Sequence, residues 1–249
     1  MSKRYLQKVI PIILALAIWQ IVAMRIGMEM LLASPVNVLT RLLSIWKEPG
    51  FWQTIFYSSL RITKGFLAAL VLGIVLGIAA GQLRLIELFL WPYIITIKTV
   101  PVASFIILCL IWLNFNQLTI LISFLIAFPV IYSNVLQGIK STDPKMLELA
   151  KLYKVPKGRQ LLYIFVPAIK PFLLSAGGIS IGMAWKAGVA AEVIGMVGGS
   201  IGEMLYMAKI YFLNADLMCW TIIIILLSVI SEKLFTFILK CIFKGVEKL

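Results

Sequence analysis

Residues 60–80 read LRITKGFLAALVLGIVLGIAA, and the polar pair Gln82 and Arg84 closes the run. Beyond Lys64 it holds no charge, and it is long enough to cross a hydrocarbon layer of ~30 Å as a helix rising ~1.5 Å per residue. Gly73, Gly77 and Gly81 recur at every fourth position, on one helix face. In lipid no hydrophobic force draws helices together, so a seam of small residues marks where a neighbouring helix comes close. The stretch predicts a membrane-spanning helix with a tightly packed partner.

Working outward, the same reading gives an all-α integral membrane fold of about six spans in a single domain over residues 1–249. The first span covers residues 9–24. Its start, MSKRYLQKVIPIILALAIW, has the basic and apolar parts of a signal peptide. It lacks a small-x-small cleavage site and stays apolar through Ile21, Val22 and Ala23, so it reads as an uncleaved first transmembrane helix. Residues 27–58 are mixed, with Ser34-Pro35 and Pro49-Gly50, and predict a short amphipathic helix and a loop outside the core. The second span is 60–80. The third begins near Ile86, carries Pro92 and Pro101, and is expected to be broken or kinked. It ends by Asn114-Phe-Asn116, and the fourth covers 118–136. The fifth, 171–197, offers a second small-residue seam at Gly178, Gly182 and Ala190. A Gly-rich turn, Gly198-Gly-Ser-Ile-Gly202, follows. The sixth starts near Leu213, runs through TIIIILLSVI and ends as an amphipathic tail.

Composition agrees. The chain is 62% hydrophobic and 13% charged, with mean hydropathy +1.04, whereas soluble domains are about half apolar and about a quarter charged. The net charge of +13 is read as cytoplasmic loops collecting lysine and arginine rather than as a nucleic-acid footprint. With the N-terminus inside, the inner set is Lys3, Arg4, Lys8, Arg84, Lys140, Lys145, Lys151, Lys154, Lys157, Arg159, Lys170, Lys240, Lys244 and Lys248. The outer set is Arg25, Arg41, Lys47, Arg61, Lys64 and Lys209. The imbalance favours both termini inside. Cys109, Cys219 and Cys241 lie in apolar runs without C-x-x-C spacing and read as packing residues, with no metal site. The absence of histidine removes the commonest metal ligand and general base. No set of groups for a membrane-embedded enzyme stands out.

One compact polar stretch, from Lys140 to Tyr163, separates the fourth and fifth spans. Asp143-Pro144 is a helix start, because proline suits the first turn and aspartate can cap it. Good helix formers follow over 146–152, Pro156 breaks that helix, and a second short run over 161–166 is closed by Pro167. On a basic cytoplasmic face such a segment could lay a helix into a partner's groove. An ordinary loop resting on lipid headgroups through its lysines fits equally well.

The segment resembles the EAA loop of binding-protein-dependent ABC importer permeases. Glu148-Leu149-Ala150 stands at its opening, and Pro167 stands at the distance where the family pattern closes. Leu149 replaces the first alanine. Lys154 replaces the usual glycine, with Gly158 displaced four residues on, so the turn between the short helices is open to a different shape. The likeness runs through nearly the whole chain and is to the nitrate, sulfonate and taurine branch. It includes Ala33-Ser34-Pro35-Val36, Ser59-Leu-Arg61-Ile-Thr-Lys-Gly65-Phe66, Gly73-Ile-Val-Leu-Gly77 and Lys98-Thr-Val-Pro101. Ala184-Trp185-Lys186, Ala191-Glu192-Val193-Ile194 and Gly199-Ser-Ile-Gly202 complete it.

The resemblance implies a pathway made by two permease copies in a bacterial cell membrane, with a homodimer as the family habit. It implies two separate ATPase subunits gripping the EAA loops, and an extracytoplasmic binding protein that delivers a small, anionic or sulfonate-like solute. Thiamine-precursor-like solutes are the alternative cargo. The sequence has no G-x-x-x-x-G-K-[ST] phosphate loop, so ATP and its magnesium are expected on the partner. Coupling residues are then Glu148, Leu149, Ala150, Lys154, Pro156, Gly158 and Pro167, with Glu148 as the polar contact. Within spans, Lys98, Lys186 and Glu192 are costly at roughly 2.5–3.5 kcal/mol each. Either a lysine faces the pathway and attracts an anion, or the lysines pair with Glu192 or helix-end carbonyls and hold the bundle. Ser104, Trp185 and Asn114 are further pathway candidates that packing would also explain. A self-contained secondary transporter is the rival class. It would show internal repeats, and residues 1–125 and 126–249 show none.

Overall fold

The computed structural model describes residues 2–246, with side chains for residues 10–245; Lys248 of the basic count lies outside the described residues. Among the described residues the chain is helical throughout, without strands. α1 is Ser2–Ile26, α2 Pro35–Ile45, α3 Phe51–Gln82, α4 Arg84–Thr99, α5 Val102–Cys109 and α6 Phe115–Lys140. Then come α7 Pro144–Leu152, α8 Lys157–Gln160, a π-turn over Leu161–Phe165, α9 Val166–Gly195, α10 Ile201–Ile210 and α11 Asn214–Val246. Four helices are long and apolar enough to cross a membrane: α3, α6, α11 and the continuous run Lys157–Gly195. α4 and α5 together make a fifth, bent by 102° between them. That break was legible in Pro101, whose missing N–H ends the ladder and whose ring restricts Val100 before it.

α6 is the central post, packed by α3 on one side and α9 on the other, with α11 beyond α9 and α2 against α11. Glycine sets the α3–α6 distance. A Cβ on Gly73 would stand 2.8 Å from Ile131 Cγ2, one on Gly77 2.8 Å from Val135 Cβ, and one on Gly81 2.6 Å from Ile139 Cγ2. The α9 seam is real but looser. A Cβ on Gly178 would meet Glu232 Oε1 at 3.3 Å, and one on Gly182 would meet Ser228 Oγ at 3.8 Å, both on α11. Ile62, Phe66, Ile131, Val135, Ala184 and Trp185 fill the core where α3, α6 and α9 meet. Apolar side chains on the outside of α1, α3, α4 and α11 are exposed, as lipid-facing surfaces require.

Three boundaries differ from the sequence reading. α3 starts at Phe51, not at residue 60, because Gly50 takes φ 87° and turns the chain straight into a helix. Phe51, Thr54, Ser58 and Ile62 are buried at helical spacing, while the intervening Gln53, Ser59 and Arg61 mask that face in a hydropathy profile. Pro167 does not close a helix. It sits at the start of α9, and the preceding π-turn, with the Val166 N–H bonded to the Leu161 carbonyl, absorbs the register change that a proline imposes. The Gly-rich turn ends earlier than expected, and Gly202 already lies in α10.

Candidate functional site

The first helix of the polar stretch folds as its residues suggest, whereas the second run continues into α9. Asp143 caps α7, its carboxylate accepting from the Lys145 N–H at 2.9 Å, and Pro144 occupies the first turn. Ala150 is buried, whereas Glu148 is exposed. Met146, Leu149, Leu152 and Tyr153 are 54%, 54%, 74% and 75% exposed. At i, i+3, i+6 and i+7 these four form one apolar stripe on an otherwise polar helix. A cleft of about 510 Å³ opens behind α7, lined among others by Gln82, Lys140, Thr142, Leu147, Lys157 and Gln160.

Lys154 keeps the turn that glycine would make. Its φ is 50°, the Val155 N–H reaches the Ala150 carbonyl at 2.9 Å, and the Lys154 N–H reaches Lys151 at 3.1 Å. That is the paired closure of a Schellman helix end, with lysine in the left-handed position. Gly158 sits in α8 with open space around it, and the Gln160 amide ties α8 to the Val155 carbonyl at 2.7 Å. Pro156 caps α8 and, like Pro167, is exposed. From Lys157 the chain runs through α8 and the π-turn into α9 as one helical path to Gly195, while α7 stands apart from it across the turn at Lys154.

The in-span charges do not pair with one another. Lys98 Nζ donates to Ser133 Oγ on α6 at 2.9 Å. Lys186 is exposed, Ser104 is exposed on α5, and Trp185 is buried to 1% exposure with its indole N–H unpartnered. Glu192 is fully buried. Its Oε2 accepts from Ser58 Oγ at 2.8 Å and from the Gly202 N–H at 3.3 Å. Ser58 Oγ in turn accepts from the Ile201 N–H at 2.9 Å, and Ser200 Oγ accepts from the Glu203 N–H at 3.1 Å. The first three N–H groups of α10 are therefore all satisfied by side chains, two of them from α3 and α9. A carboxylate at a helix N-terminus also meets the positive end of its dipole. Gly202 is required there, because a Cβ would collide with Glu192 and the Val193 backbone. The sequence reading matched the Ala191-Glu192 and Gly199–Gly202 motifs separately; in space they are one junction.

A second polar knot lies at the same end of the bundle. The Arg41 guanidinium on α2 binds both carboxylate oxygens of Asp216 in the first turn of α11, and Glu48 at 2.6 Å. The Asp216 hydrogen bond, above all, raises its pKa beyond the usual arginine value. At the opposite end Lys140 binds Glu87 at 2.5 Å. Arg61 donates to Asn116 at 2.6 Å and so joins the start of α6 to α3.

A lipid-facing helical bundle with a broken span, buried polar joints and a short exposed helix between two spans is the build of an integral membrane protein. The family model described as "binding-protein-dependent transport system inner membrane component" matches residues 69–248. A permease from Bacillus subtilis (strain 168) named for aliphatic sulfonate transport is 30% identical over 196 residues, 78% of this chain and 71% of that one. The taurine transport system permease protein of Escherichia coli (strain K12) is 29% identical over 199 residues, covering 75% and 72%. A nitrate import permease protein of Synechococcus elongatus is 30% identical over 218 residues, covering 82% and 76%. The chain belongs to the binding-protein-dependent ABC importer permeases, in the branch of these relatives, and is a multi-pass bacterial inner-membrane protein.

Proposed function

We propose that this chain forms half of the translocation pathway of an importer for a small anionic, sulfonate-like solute, and that α7 is the handle through which an ATPase drives it. The chain crosses the membrane six times, α1 and the α4–α5 pair being the first and third crossings, with both termini in the cytoplasm. Arg84, Lys140, Lys145, Lys151, Lys154, Lys157 and Arg159 gather at the α7 end of the bundle, which supports placing that end in the cytoplasm. A second, identical copy completes the pathway, a binding protein delivers solute at the α10 end, and two ATPase subunits hold MgATP that this chain does not bind. The chain itself catalyses no reaction. Lys98 and Ser104, on either side of the α4–α5 elbow, line the route and give it positive potential. Trp185 and Lys186 neighbour it on α9, and Glu192 anchors its outer wall.

The observation that carries this reading is the apolar stripe of α7, Met146, Leu149, Leu152 and Tyr153, exposed on a helix outside the membrane spans. Such a face is stable in water only when something covers it, and its spacing suits a groove on a partner. Glu148 beside it supplies a polar rim. The test is copurification of the ATPase with Leu149→Asp. The partner should be lost while the thermal midpoint of the permease stays put, because Leu149 is 54% exposed and not part of the core. Retention of the ATPase by this variant, or by a chain lacking residues 143–158, would sink the proposal.

A further inference from the structure

We infer that α10 stays clasped to α3 and α9 throughout the transport cycle, with Glu192 as the positioning residue, and that the pathway opens instead at the α4–α5 elbow. The inference rests on the importer reading for there being a cycle at all.

The clasp has three parts that reinforce one another. Glu192 is 0% exposed and Ser58 is 0% exposed, so neither has water to fall back on. Opening the junction strands two backbone donors of α10, a hydroxyl and a carboxylate in a place without replacement partners. Gly202 lets the first turn of α10 sit directly on the Glu192 backbone, a contact no other residue permits. On the far side the Glu203 carboxylate accepts from the Gly199 N–H at 2.6 Å, closing the turn from α9 into α10. Arg61 and Asn116 then fasten the same end of α6 to α3. The outer ends of α3, α6, α9 and α10 form one body.

Of the α4–α5 pair, α5 packs into the bundle through buried Ile106 and Cys109, whereas α4 is held differently. Ile94 is the one buried side chain of α4. Its polar ties are single contacts from long side chains, Lys98 to Ser133 and Glu87 to Lys140. The two helices bend by 102° about Val100-Pro101, and a small apolar cavity of about 70 Å³ lies in the crook, lined by Thr96, Val100, Phe105 and Leu125 among others. A void beside an elbow leaves room to flex without breaking buried hydrogen bonds.

The test uses the full permease with its copurified ATPase in lipid nanodiscs, the three native cysteines replaced by alanine. Tyr57→Cys with Met204→Cys spans the clasp, as both residues line one outer pocket. Thr96→Cys with Leu125→Cys spans the elbow cavity. Each pair is treated with a short thiol cross-linker in nucleotide-free and vanadate-trapped complexes, and trapped nucleotide is measured separately to report motor attachment. The 57–204 yield should be the same in both states while the 96–125 yield changes. A fall in the 57–204 yield on trapping, or an elbow yield that never changes, overturns the inference. Glu192→Ala should lower the resting 57–204 yield about tenfold, the factor a lost charge-assisted hydrogen bond commands. Glu192→Gln, which keeps an oxygen for Ser58 and Gly202, should not. Ser58→Ala is the second variant should Glu192→Ala fail to fold, with the same fall expected. An undiminished yield in either overturns the role of the carboxylate.

Discussion

Lys154→Gly should strengthen the turn between α7 and α8. Lys154 occupies the left-handed region at φ 50°, where a Cβ crowds the following carbonyl at a cost of roughly 1–2 kcal/mol. Glycine removes that strain but loses about 0.5–1 kcal/mol more chain entropy on ordering. The net is a gain of about 0.5–1 kcal/mol, or about two- to fivefold in the local opening equilibrium. The Val155 amide reports it directly, since it donates to the Ala150 carbonyl at 2.9 Å only while the turn is closed. Hydrogen exchange on peptides covering residues 150–158 should show its protection rising by that factor. Lys154→Ala, which retains the Cβ, should leave protection where it is and separates backbone strain from loss of the ammonium group. Lys154→Val should lower it, because branching at Cβ worsens the crowding. Equal gains for glycine and alanine would refute the strain argument and assign the effect to charge.

Gly77→Ala should destabilise the detergent-solubilised protein by about 1–3 kcal/mol, because the new methyl would stand 2.8 Å from Val135 Cβ and 3.2 Å from the Tyr132 carbonyl. Gly182→Ala, with Ser228 Oγ 3.8 Å away, should leave the thermal midpoint nearly unchanged. Equal midpoints for the two variants would mean that the α3–α6 contact is not close-packed. Asp216→Ala should cost about 1 kcal/mol or somewhat more, the range for a bidentate, half-buried arginine pair. In a double-mutant cycle with Arg41→Ala the loss should be largely shared, and strictly additive losses would show that the pair is not coupled.

Much of the bundle was legible because its signals are local. A glycine every fourth residue has one reading in lipid, and α3–α6 contact is where it led. Pro101 breaks the third span as expected, whereas Pro92 lies inside α4 without ending it, and Asp143-Pro144 starts a helix from its own residues. What sequence reading missed depends on atoms distant along the chain. α10 owes its first turn to Ser58, 143 positions from the N–H it binds, and to Glu192. Its one local sign was Ser200 followed three residues later by Glu203, the capping-box spacing, which the run of glycines hid. The early start of α3 was missed because its polar side chains outweigh the buried stripe in an average. The first helix of the polar stretch forms where Asp143-Pro144 starts it, yet its exposed stripe is the set of apolar residues between the polar ones, with Glu148 only at their edge.

The distribution of charge within the spans bears on what must surround this chain. Glu192, the most buried ionisable group among the described residues, takes its hydrogen bonds at Oε2, from the Ser58 hydroxyl and the Gly202 N–H, while Oε1 has no partner, so none of its bonds comes from a lysine. Lys186 stands on α9 between buried Trp185 and buried Ala187, yet is itself exposed, and no carboxylate of this chain pairs with it among the described residues. α9 continues past it to Gly195, nine residues and about 13 Å further at ~1.5 Å per residue, beyond the reach of a lysine side chain seeking the outer surface. Facing lipid there it would cost roughly 2.5–3.5 kcal/mol. A polar neighbour, either the aqueous route or a second copy of the chain, removes that cost. The pathway and second copy proposed above would each place such a neighbour on this face of α9.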